Sequence, residues 1–205
     1  VAINPKVMLL DEPLSNLDPH LREEMRFEIK ALQDKFGFTV IYVTHDQAEA
    51  MALSDRMLVM KEGVVQQVGG PLDIYNDPAN KFVFSFIGLS DFIPVKVKNG
   101  QIFVDGGEEC GPVNGDIPKN LDPSIEYDIA CRPSEIDFAP DGVRAQVVRR
   151  TYLGDIVDYL LKIGNVELRV QKPRRHSTAQ LGETCHLRFN RLLWYDRKEE
   201  TASKT

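Results

Sequence analysis

The chain has 205 residues, 42% of them apolar and 27% charged, with a net charge of −6. This is the composition of an ordinary globular protein, long enough to bury one large core or two small ones. Residues 1–88 carry 8 basic and 13 acidic side chains and residues 89–205 carry 17 and 18, so neither half is basic and nucleic acid is excluded as the main partner. The three scattered cysteines, Cys110, Cys131 and Cys185, form no CxxC pair and point to a reducing cytoplasm, with neither a zinc site nor a disulfide framework. No apolar run approaches a membrane span, no signal peptide opens the chain, and a start at Val1 reads as a piece of a longer protein.

In chain order, Val7–Leu10 is a short apolar run, expected to be a strand buried on both faces. Asp18 is placed to cap a helix, with Pro19 in its first turn and Gly37 at its end. Between them Leu21, Met25, Ile29, Leu32 and Phe36 form one apolar stripe, with Arg22, Glu23, Arg26 and Lys30 off it. Phe38–Val43 is rich in β-branched and aromatic residues and reads as a second buried strand, and Asp46–Met51 as helix. Met57–Met60 and Val64–Val68, around Lys61-Glu62-Gly63, predict a hairpin. Pro71–Tyr75 and Asn80–Ile87 predict two short helices. Residues 1–88 are thus expected to be α/β, with a parallel core and a hairpin at its edge.

Beyond Gly88 short strand-like runs alternate with turns. Asn99-Gly100 lies between Val95–Lys98 and Ile102–Asp105, and Gly164-Asn165 between Ile156–Ile163 and Val166–Val170. Val166, Leu168 and Val170 alternate with Glu167 and Arg169, as in a half-buried strand, and Leu187–Phe189 reads as another. Residues 89–196 are expected to form a small all-β barrel or sandwich, with the boundary near Gly88–Asp91 and a disordered polar tail over residues 197–205.

Chemistry concentrates in VMLLDEPLSNLD, Val7–Asp18. A strand running into Asp11-Glu12 puts two carboxylates at the carboxyl end of a parallel sheet, where open α/β folds bind ligands. Asp11 is suited to hold Mg²⁺ through water, and Glu12 to poise a water for attack on a γ-phosphate. An Asp-Glu pair closing a strand by chance is the alternative. One helix later the second strand ends in Thr44-His45-Asp46, bringing His45 to the same sheet edge.

VMLLDEPLSNLD resembles the Walker B strand and D-loop of ABC transporter ATPases, and LREEMRFEI the helix that follows them. VIYVTHDQAEAMALSDRMLVMKEGVVQQVGGPLDIYNDPANKFVFSFIG resembles their switch-histidine region and the end of their nucleotide-binding domain. The spacing of DEP, SNLD and THDQAEA is that of importers serving sugars, polyamines, ferric iron, sulfate and similar solutes. FIGLSDFIPV is closer to the iron, polyamine and sulfate members. IACRPSEI, in which Ser134 separates Pro133 from Glu135, and TYLGDIVDYLLKIG resemble the OB-like, all-β TOBE domain of these importers.

The resemblance implies an incomplete P-loop NTPase sheet followed by a TOBE regulatory domain. It implies Asp11 as the Mg²⁺ ligand, Glu12 as general base or water-positioner, Ser15 and Asp18 in a D-loop facing the partner subunit's ATP site, and His45 on the γ-phosphate. ATP and Mg²⁺ would be the cofactors, and transmembrane permease subunits and a second copy of the chain the partners. The location would be peripheral, on the cytoplasmic face of the plasma membrane. The phosphate-cradling GxxxxGK[ST], the Q-loop and LSGGQ are absent from these 205 residues, so the chain by itself is expected to be inactive although the parent protein hydrolyses ATP. A non-catalytic regulatory or dimerisation module is the alternative.

Remaining features have plainer readings. RVQKPRR with His176 is either an anion or partner contact or a solvated strand-to-loop connection. His20 and His186 lack ligand companions, Trp194-Tyr195 packs a core, and Asp137, Asp141 and Asp155 are loop and turn residues.

Overall fold

The computed structural model describes residues 6–199. It divides into two compact units, one ending at Ala79 and one beginning at Asn80.

In the first unit β1 (Val7–Asp11) pairs in parallel with β2 (Thr39–Val43), in register from Val7 opposite Thr39 to Asp11 opposite Val43. The connection is α1 (Pro19–Phe36). Asp18 caps this helix by accepting from the His20 and Leu21 amides, and Gly37 closes it in the left-handed conformation, its N–H donating to the Gln33 carbonyl. α2 (Gln47–Leu53) follows, capped by Asp46. β3 (Met57–Lys61) and β4 (Val64–Gly69) form the expected hairpin, and α3 (Pro71–Asn76) ends the unit.

Two expectations are corrected here. β1 is not buried on both faces: Leu9 is 72% exposed, and Val7, Ile41 and Val43 are also exposed on the face shared with β2. A two-stranded sheet with no further layer over that face, among the described residues, has nothing to bury them against. The β3–β4 hairpin is a separate two-stranded sheet and does not extend the edge of the parallel pair. The apolar stripe of α1 is likewise only partly covered, and no α1 residue is fully buried.

The second unit opens with α4 (Lys81–Phe86), capped by the Asn80 side chain. Its strands are β5 (Asp91–Lys98), β6 (Gln101–Val104), β7 (Tyr127–Cys131), β8 (Ile136–Ala139), β9 (Val143–Leu153), β10 (Ile156–Ile163), β11 (Val166–Pro173), β12 (Thr184–Phe189) and β13 (Leu193–Asp196). They form a five-stranded sheet, β11-β10-β9-β12-β8, and a four-stranded sheet, β13-β7-β5-β6. Ile93, Ile129, Val143, Tyr159, Leu161, Leu168 and Leu187 from both sheets share one core. Trp194 packs edge-on against Tyr127, and Tyr195 against Phe92, within this unit.

The division falls upstream of Gly88 because α4 is tied to the β unit. Lys81 makes a buried ion pair with Asp128 at 2.8 Å, and Arg132 donates to the Phe84 and Leu89 carbonyls while its guanidinium lies 4.0 Å from the Phe84 ring. The tail does not begin at Arg197 either. Arg197 donates to Asp128 at 3.0 Å, and Glu199 accepts the Lys81 amide at 2.7 Å. The rest of the expected tail, residues 200–205, lies outside the described residues. Asp137 is not a loop residue: it belongs to β8 and is ion-paired with Lys172. That pairing, with Arg169 on Asp158 at 2.7 Å, engages part of the RVQKPRR stretch inside the unit.

Candidate active site

β1 ends at Asp11, whose exposed carboxylate stands at the strand terminus opposite Val43. The chain then turns sharply. Glu12 adopts φ +43°, a left-handed conformation that costs a non-glycine residue about 1 kcal/mol, and its N–H donates to the Val43 carbonyl at 2.9 Å. Proline at position 13 suits such a corner. The Glu12 carbonyl accepts from both the amide (3.2 Å) and the hydroxyl (2.9 Å) of Ser15. Leu14, within this turn, is buried.

The turn brings Glu12 Oε1 to 3.0 Å from Nδ1 of His45, which follows Thr44 beyond the end of β2. Both groups are open to solvent, His45 at 74% and Glu12 at 45% side-chain exposure. The hydrogen bond that the protonated ring donates to Glu12, and then the negative charge of Glu12, raise the His45 pKa above its ordinary value of 6.5. Of the residues singled out in the sequence, the structure thus joins Glu12 directly to His45, ties Ser15 to Glu12 through hydrogen bonds, and leaves Asp11 one residue away. The Asp18 carboxylate is engaged at the α1 N-terminus.

Beneath this pair lies a polar cluster that sequence reasoning missed. Glu49 of α2 is 2% exposed, and its Oε2 accepts from the hydroxyls of Tyr42 (3.0 Å) and Thr44 (2.9 Å). Burial, then the hydrogen bond to Glu49, push the Tyr42 phenol well above its usual range. Thr44 Oγ1 in turn accepts the Asp46 amide at 3.0 Å, and Asp46 Oδ1 accepts the Glu49 amide at 3.1 Å. Burial works against ionised Asp46, but the Glu49 and Ala48 amides, with Arg26 and Arg22, hold its pKa below the ordinary value. The Asp46-x-x-Glu49 spacing is a helix-start signature and was the available signal. It did not reveal that the Glu49 side chain turns toward β2.

Among the described residues no group of three or more His, Cys, Asp or Glu is placed to hold a metal ion. Asp11 alone offers an exposed oxygen ligand beside Glu12. That donor set suits Mg²⁺, which keeps most of its waters and completes its shell with substrate phosphates, and does not suit a metal requiring an all-protein cage.

Residues 129–192 match the TOBE domain family model, so the second unit carries a TOBE domain. Over most of its length the chain is also similar to ATP-binding proteins of importers. It is 37% identical over 196 residues to the Fe(3+) ions import ATP-binding protein of Brucella melitensis, covering 92% of this chain and 54% of that relative. It is 39% identical over 205 residues to the spermidine/putrescine import ATP-binding protein of Pseudomonas fluorescens, covering 93% and 54%. To the Fe(3+) ions import ATP-binding protein of Rhizobium etli it is 42% identical over 165 residues, covering 78% and 46%. The chain is similar to these import ATP-binding proteins, the kind of relative its motifs suggested, and it spans about half the length of the curated relatives it matches.

Proposed function

We propose that the chain is the part of an ABC importer ATPase that runs from the Walker B strand through the TOBE domain, and that Glu12 and His45 belong to its hydrolytic site. The observation that carries this reading is the 3.0 Å contact between Glu12 and His45 at the carboxyl ends of two parallel strands. A carboxylate there can accept a proton from a water, and an imidazole held beside it can donate to a phosphate oxygen. Asp11 would hold Mg²⁺, which when bound draws charge from the β- and γ-phosphate oxygens of ATP. Ser15 and Asp18 would lie on the loop facing the ATP site of a second copy.

In this reading β1 and β2 are two strands of a larger P-loop NTPase sheet, and the exposed Val7, Leu9, Ile41 and Val43 are the face its remaining layers cover. The partners are transmembrane permease subunits and a second copy of the protein, with no nucleic acid. The location is peripheral, on the cytoplasmic side of the membrane. No helix among the described residues is long and apolar enough to cross a membrane, which fits a subunit that docks on a permease. The relatives named for ferric iron and for spermidine/putrescine make a small cationic solute the favoured cargo class.

The test is Mg-ATP turnover by the intact protein beside Glu12→Gln. A loss of about 10²-fold or more supports the reading, and unchanged turnover rejects it. A regulatory role for the second unit, supported by its TOBE match, is compatible with this reading and becomes the sole function if no ATP is bound.

A further inference from the structure

Arg22, on the first turn of α1, touches both loops of the candidate site. Its Nη2 lies 3.4 Å from the Ser15 carbonyl and 3.3 Å from the Leu17 carbonyl, and its Nη1 lies 3.3 Å from Asp46 Oδ2. Its Nε is 3.8 Å from Glu49 Oε1, close enough for charge attraction without a hydrogen bond. The planar guanidinium is the one basic group that can serve carbonyls on one side and carboxylates on the other at once. Glu49 continues the connection. The two hydroxyls it accepts, from Tyr42 and Thr44, flank Val43, whose carbonyl receives the Glu12 amide. Thr44 and Asp46 also flank His45. The Ser15–Leu17 turn and the His45 loop are thus joined through Arg22, Glu49 and the Glu12 backbone; Arg26, one turn further along α1, adds a 3.6 Å ion pair to Asp46 but touches neither the Ser15 nor the Leu17 carbonyl among the hydrogen bonds of the described residues.

We propose that Arg22 and Glu49 are positioning residues that lock the Ser15–Leu17 turn to the Thr44–Asp46 loop, so that Glu12 and His45 are held, and displaced, as one pair. This rests on the reading of those two residues as the hydrolytic site. A general ion pair on a helix surface is the competing account, and exposed pairs of that kind do little. It does not explain why a carboxylate is sunk to 2% exposure with two hydroxyl donors, a burial that is costly unless the geometry is used. If ligand contacts on the Ser15–Asp18 loop come from a second copy, Arg22 is the element through which that contact reaches His45.

The test compares Arg22→Lys and Arg22→Met in the full chain by amide hydrogen exchange, alongside Mg-ATP kinetics of the intact protein. Arg22→Lys keeps the charge but not the fork. It is expected to leave the thermal midpoint near that of the parent, while the Ser15 and Leu17 amides and the Asp46 and Glu49 amides all exchange at least tenfold faster. Arg22→Met is expected to do the same more strongly, and both are expected to lower kcat with KM for Mg-ATP unchanged. Acceleration at only one of the two loops, or at neither, in Arg22→Lys overturns the proposal whatever the kinetics show. Paired acceleration together with turnover indifferent to Glu12→Gln upholds the lock and rejects the ATPase reading, so the two failures are distinguishable.

Discussion

Glu12 and His45 lie 33 residues apart in the chain and meet through a 3.0 Å contact between Oε1 and Nδ1. Neither strand makes this contact alone. It arises because β1 and β2 end level with one another, Asp11 opposite Val43, and because Glu12 turns back at φ +43° to donate its amide to Val43.

The contact has a pH signature. Glu12 raises the His45 pKa above 6.5, so the folded state binds the proton more tightly than the unfolded chain does. The resulting stabilisation is fully present below pH 6.5 and is lost as the pH rises through the raised value. An NMR titration should show the His45 ring titrating above the ordinary value and moving back toward it in Glu12→Gln. A midpoint indifferent to Glu12→Gln would mean that the pair does not form in solution.

Lys81 and Asp128 are both nearly buried, and Asp128 also accepts from Arg197. Removing Lys81 strips the buried Asp128 carboxylate of its closer, buried counter-charge and leaves it paired with the more exposed Arg197. Lys81→Met should therefore lower the stability of the second unit by about 3 kcal/mol, and Lys81→Met with Asp128→Leu should recover much of that loss. Denaturant melts of the single and double variants check both statements.

Gly164 closes the β10–β11 turn at φ +56°, with the Gly106 carbonyl where a Cβ would sit. That carbonyl also accepts the Asn165 amide. Gly164→Ala should cost about 2 kcal/mol or more, measured as a lowered midpoint of unfolding. Gly100, in the β5–β6 turn, has open space around the same position, so Gly100→Ala should cost less, carrying the backbone strain alone.

Leu9 and Ile41 stand on the open face of β1 and β2. Leu9→Thr with Ile41→Thr places a β-branched, strand-favouring side chain at both positions and should change the stability of the chain by less than about 1 kcal/mol. The same double substitution should reduce concentration-dependent association of the chain in light scattering.

Local signals in the sequence proved dependable where the chain itself satisfies them. Asp18, Pro19 and Gly37 bracket α1 because capping needs only neighbouring backbone groups. Asn99-Gly100 and Gly164-Asn165 mark hairpins because a tight turn is a two-residue problem. What was hidden depends on partners distant in sequence. The burial of Val7 and Leu9 requires a layer that these residues cannot announce. The assignment of α4 to the second unit depends on Asp128 and on the carbonyl–Arg132 contacts. β7, β8, β9 and β13 were not delimited: in β7 the apolar run is interrupted by Asp128, which is buried only because it finds partners across the unit, whereas β9 alternates cleanly over Val143–Val147 and went unread. In the candidate site the DEP and TH motifs marked Glu12 and His45, whereas Glu49 read as one more helix carboxylate until its hydroxyl donors were seen.

The most direct test is Mg-ATP hydrolysis by the intact protein with Glu12 replaced by Gln, a change that preserves size and hydrogen bonding but removes the base. The account predicts that turnover falls about 10²-fold or more while the fold and ATP binding persist. Turnover equal to that of the parent protein would contradict it and would leave the Glu12–His45 pair without a catalytic part.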